Sequence, residues 1–126
     1  TTKKVDIDII QSTTKITTNI LPVSFLQTEL VTDKVLPRKI SAAIYAEDGK
    51  ILSDKFIYNF DIKENLERMR EVKHNFQLSP EASEKYKNQI VHLIIMEHIE
   101  GTHQWKIYKK FEYTINISIS KDFDEL

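Results

Sequence analysis

The sequence predicts an all-β domain: an immunoglobulin-like antiparallel β-sandwich of seven to nine strands with one short helix. Three observations carry this. Phe111, Tyr113, Ile115, Ile117 and Ile119 alternate with Glu112, Thr114, Asn116, Ser118 and Ser120, a period of two that puts one face in a core and the other in water. Similar short strand-like segments recur upstream at fairly regular spacing. With only 2 glycines and 3 prolines among 126 residues, neither a repeat array nor a flexible linker is present, so one domain spans 1–126. A small open barrel is the alternative.

The elements follow in order. Val5, Ile7 and Ile9 alternate with Asp6, Asp8 and Ile10 in a first strand. The Thr-rich stretch 13–19 is a second short strand or a loop. Pro22 removes a ladder donor, so a strand there starts after it or lies at an edge. Val23, Phe25 and Gln27 alternate with Ser24, Leu26 and Thr28, and Pro37 separates this segment from the next. Lys39–Ala46 lacks a strongly polar face, which suggests an interior strand. Asp48-Gly49 within Glu47–Lys50 marks a hairpin. Its partner strand carries Phe56, Tyr58 and Phe60 against Lys55, Ile57 and Asn59. A turn or short helix near residues 63–68 leads into a strand from about Arg70 to Leu78. Ser79-Pro80-Glu81 is a helix start: an N-cap hydroxyl, proline at the first helical position, an acid in the first turn. Ile90–His98 is apolar on both faces and reads as a central strand. Glu100–His103 is a loop, and Trp105 and Ile107 open the way to the last strand.

Composition excludes several functions. The net charge is -1, from 18 basic and 19 acidic residues, which argues against a dedicated nucleic-acid binder. Without cysteine there is no disulfide and no thiolate chemistry, as suits a reducing cytoplasm. No apolar run approaches the roughly 20 residues of a membrane span. Thr1-Thr2-Lys3-Lys4 lacks an initiator Met and runs almost at once into a strand, so the chain is expected to be a fragment of a longer protein.

Candidate chemistry is sparse. His92, His98 and His103 lie near Glu97 and Glu100, but on an extended strand His92 and His98 sit about 20 Å apart at ~3.3 Å per residue. One metal ion needs convergent ligands, so no metal or other cofactor is expected. Asp6 and Asp8 share the wet face of an edge strand, where charge discourages edge pairing. No nucleophile motif occurs; Ser53, Ser79 and Ser118 fit strand-end, cap and strand-face positions. Gly49 and Gly101 alone cannot build a phosphate loop. Asn116-Ile117-Ser118 is a chance glycosylation sequon inside a strand. The best binding signal is the interleaved aromatic and basic run Trp105, Lys106, Tyr108, Lys109 and Lys110, set against the simpler reading in which Trp105 and Ile107 face the core and the lysines snorkel.

One resemblance runs through these segments. Ala46-Glu47-Asp48-Gly49-Lys50-Ile51-Leu52-Ser53-Asp54, then Arg68–Leu78, Tyr86, Tyr113–Ile117 and Asp122-Phe123-Asp124, with Ile20–Val23 and Leu36–Ile40 upstream, resemble the C-terminal region of PglZ-type proteins of BREX phage-defence systems. The likeness covers most of residues 20–124. It implies membership of the alkaline-phosphatase superfamily, with the metal-dependent hydrolase centre on an upstream domain, and an immunoglobulin-like terminal domain. No family catalytic residue maps onto this chain. The expectation is a non-enzymatic, cytoplasmic accessory domain whose partners are its own upstream domains or other phage-defence subunits, with neither nucleic acid nor membrane. The alternatives are an extracellular adhesion or carbohydrate-binding sandwich module and, less favoured, a small enzyme.

Overall fold

The computed structural model describes residues 3–11, 13–31, 39–59 and 70–117. Pro37, Phe60, the turn or helix expected near 63–68, and the end of the alternating strand at Ser118, Ile119 and Ser120 lie outside the described residues.

The described elements are β1 (Lys3–Ile10), β2 (Lys15–Ile16), β3 (Ile20–Val31), β4 (Lys39–Ala46), β5 (Phe56–Asn59), β6 (Arg70–Gln77), α1 (Pro80–Lys85), β7 (Ile90–His98) and β8 (Trp105–Ile115). They form an all-β sandwich. One sheet has the order β1-β3-β6 and the other β2-β8-β7-β4-β5. All pairings are antiparallel except β2 with β8.

Alternation places the core. Ile7 and Ile9 of β1, Leu21, Val23 and Phe25 of β3, and Phe76 of β6 face Ile40, Ala42 and Ile44 of β4, Val91, Leu93 and Ile95 of β7, and Tyr113 and Ile115 of β8, all in one buried cluster. An aromatic bridge crosses between the sheets at one side. The Phe25 and Phe56 rings lie 5.4 Å apart, and His74 stacks on Phe56 at 4.5 Å and meets Phe76 edge-on at 4.6 Å.

Two elements depart from expectation. β3 begins at Ile20, before Pro22, and runs through the middle of its sheet. β1 reaches only as far as Ser24, opposite Ile10, so β3 has a local open edge at Pro22, where a missing N–H costs no ladder bond. The last strand starts at Trp105 and is continuous through a bulge: Ile95 pairs with Lys109 and Met96 with Ile107, leaving Tyr108 as the extra residue.

The turns behave as their residues dictate. Gly49 adopts φ +90° in the β4–β5 connection, where its N–H donates to the Ala46 carbonyl at 2.9 Å. The Ser79 hydroxyl accepts from the Ala82 N–H at 3.1 Å, with Pro80 opening α1.

Phe76→Ala, at a fully buried site in the aromatic bridge, should cost about 3–5 kcal/mol, a large share of a small domain's stability. Ser79→Ala should cost about 1 kcal/mol through the lost cap. Urea unfolding followed by circular dichroism measures both.

Candidate functional site

The side-chain cluster with the most chemistry lies where the chain leaves β4 and crosses to the three-stranded sheet. After the turn, the Leu52 N–H donates to the Ile44 carbonyl at 2.8 Å and the Ile44 N–H donates to the Ser53 hydroxyl at 2.9 Å. Ser53 then bridges to Leu78, just past β6. Asp54 completes the crossing. One carboxylate oxygen accepts the Gln77 N–H at 2.8 Å; the other meets His74 Nε2 at 2.7 Å.

This brings a serine, an aspartate and a histidine together, yet each is committed to structure. The Ser53 hydroxyl donates to the Asp54 carbonyl, not to the His74 ring. His74 Nε2 is engaged by Asp54, and its ring is held between Phe56 and Phe76. Burial alone pushes the Asp54 carboxyl up, but the Gln77 N–H and the neighbouring His74 outweigh it and hold the group below its ordinary value. The arrangement works as a clasp between sheets.

The run Trp105, Lys106, Tyr108, Lys109 and Lys110 does not form one surface, because the bulge turns its members in different directions. Tyr108 is half-buried against the core, and its hydroxyl accepts from the Ile7 N–H at 3.4 Å. Lys109 reaches Asp8 of β1 at 3.6 Å, and Lys106 pairs with Glu97 at 3.1 Å. Trp105 lies edge-on to His98 at 5.1 Å. Lys110 remains exposed. Ile107 does not face the core; it is 56% exposed. Cross-strand pairing puts Trp105, Ile107 and Lys110 on the outer face of the five-stranded sheet, beside His98, Met96 and Ile94.

Among the described residues, no three His, Asp or Glu side chains converge on a common point. His92 sits on the outer face of β7, His98 meets Trp105 edge-on, and His103 is exposed in its loop. Two open grooves stand out among the described residues. One, of about 400 Å³, runs between Thr17–Asn19 and the helix at Pro80, Ser83 and Glu84. The other, of about 460 Å³, lies on the outer face of the five-stranded sheet between Tyr45, His92, Ile94, Met96 and Lys110. Burial raises the Tyr45 hydroxyl pKa.

Part of a much longer protein is similar to this chain. The alkaline phosphatase-like protein PglZ of Bacillus cereus (strain H3081.97) is 28% identical over 121 residues, which cover 96% of this chain and 14% of that protein. The expected likeness to PglZ proteins is therefore found, and the chain spans only 14% of that relative's length. No family model matches the chain. No solved structure matches it significantly.

Residue patterns do not reveal the clasp, although they carry a signal of it. Val72, His74 and Phe76 share one phase of β6, so a histidine stands in an inward-facing stripe and requires a polar partner there. Asp54 lies 20 residues away in sequence, and only the folded chain pairs them.

Asp54→Asn should lower stability by about 1 kcal/mol at neutral pH, the scale of a partly exposed charge-assisted bond. The folded-state pKa lies below the ordinary 3.8. The carboxylate's contribution is therefore complete above that unfolded-state value and is lost as pH falls through the folded-state one. Urea midpoints of the two proteins between pH 7 and pH 3 should converge at the acid end.

Proposed function

We propose that this chain is a non-catalytic accessory domain, the C-terminal part of a PglZ-type phosphatase-like protein that acts in bacterial phage defence of the BREX kind. In this reading it works in the cytoplasm and docks on upstream domains of its own polypeptide or on other defence subunits, while the hydrolase centre belongs to the upstream region. The observation that carries the proposal is the similarity over nearly the whole chain to a small fraction of PglZ.

The strand order gives further support. β1, β3 and β6 pair as strands A, B and E do in immunoglobulin domains, and β8, β7, β4 and β5 pair as G, F, C and C′. This favours the immunoglobulin-like description. The described polar side chains that come together, Ser53, Asp54 and His74, serve the clasp, which fits an interaction role better than a catalytic one.

Three measurements test the proposal. Mass spectrometry of the natural gene product should give a mass several times the 14.8 kDa of this chain. Deleting the segment from the gene should abolish phage restriction. The tagged segment should capture the remaining defence proteins in purified form. A product of 14.8 kDa, or intact restriction after deletion together with no capture, would overturn it.

A further inference from the structure

We infer that the outer face of the five-stranded sheet is the docking surface of this domain. Its occupant is a protein surface with an apolar centre and a carboxylate rim, supplied by the longer polypeptide. The inference rests on the chain being one domain of a PglZ-type protein.

A sheet with one solvated face alternates apolar residues inward and polar residues outward. The three-stranded sheet largely follows this rule: Asp8, Glu71, Lys73, Asn75 and Gln77 are exposed on its outer side, and its two exposed isoleucines there, Ile10 and Ile20, stand apart opposite Ser24 and Gln77. The five-stranded sheet breaks it. Its registers align Ile57, Ser41, Met96 and Ile107 as one row across four strands, with Ile94 and Ala43 in the row below; the small Ser41 and Ala43 are buried between their larger neighbours at 6% and 0% exposure. Ile57 and Ile107, at the two ends of the row, are 55% and 56% exposed. The groove of about 460 Å³ adjoins this row at Met96 and Ile94. Met96, Ile94 and Ile107 are contiguous on this face, and a contiguous apolar patch on a sheet's solvent side marks an interaction surface.

Charge decides what covers it. Lys39 and Lys110 border the apolar row, and among the described residues neither has a carboxylate partner. A second copy would offer few carboxylates from this face, Glu112 among them, and would bring lysines towards lysines. An acidic rim on another domain answers both features. Tethering in one polypeptide supplies a high effective concentration, so such a contact needs little intrinsic affinity.

The absence of cysteine gives a direct test. Ile107→Cys and Ile57→Cys report on this face, and Lys73→Cys reports on the outer face of the other sheet. Thiol labelling is read by peptide mass spectrometry in the isolated chain and in the full-length gene product. Labelling of Ile107→Cys and Ile57→Cys should be at least tenfold slower in the full-length protein, with Lys73→Cys unchanged. Adding Lys110→Glu should restore part of the labelling rate in the full-length protein and leave the isolated chain unaffected. Equal labelling in both contexts, while phage restriction still requires the domain, overturns the assignment of this face and leaves the domain reading standing. Slow labelling in the isolated chain, with a dimer mass by light scattering, makes a second copy the occupant and also overturns it. A gene product no longer than this chain overturns both readings.

Discussion

Two sheets with no disulfide between them must be held by packing and by whatever hydrogen bonds cross their open sides. In this chain the decisive crossing is made by Ser53 and Asp54. Residues 52 and 53 bond back to Ile44 of the five-stranded sheet, while Ser53 and Asp54 reach Leu78, Gln77 and His74 of the three-stranded one. Directly beneath, Phe25, Phe56, His74 and Phe76 interlock. A polar clasp laid over an aromatic bridge fixes the spacing of the sheets on that side, and the aliphatic core from β1, β3, β4, β7 and β8 fills the remainder.

The opposite side is closed by a different device. β1 belongs to the three-stranded sheet and β2 to the other, so the chain passes from one sheet to the next between them. The Tyr108 hydroxyl and Lys109 from β8 meet Ile7 and Asp8 of β1, and the Gln11 amide donates to the Glu112 carbonyl at 3.4 Å. The bulge at Tyr108 makes this possible by directing an aromatic side chain inward where strict alternation would direct it out. Edge groups of both sheets thereby find partners within the chain, which discourages unwanted edge pairing.

With both sides closed and the core filled, the remaining asymmetry lies between the two outer faces. One is mainly polar, with Ile10 and Ile20 standing apart on it; the other sets Ile57, Met96 and Ile107 in a single row, with Ser41 among them and lysines at its border. The polar pairs are spent on the clasp and the edges. On the proposed reading, what the domain presents to other molecules is this outer face.

The all-β class, the interior strand at Lys39–Ala46, the Gly49 turn, the Ser79 cap and the strands at Arg70–Gln77 and Ile90–His98 were legible in the chain, because alternation and turn chemistry are local properties. The course of β3 through Pro22, the clasp and the dispersal of Trp105–Lys110 were not. Pro22 is tolerated because β1 stops short of it; Asp54 finds His74 only once two sheets meet; and one inserted residue at Tyr108 reverses which side chains of β8 share a face. Local periodicity thus determined the strands and most of their faces. Register, edge and inter-sheet contact depend on residues distant in sequence, and only the tertiary structure decided them.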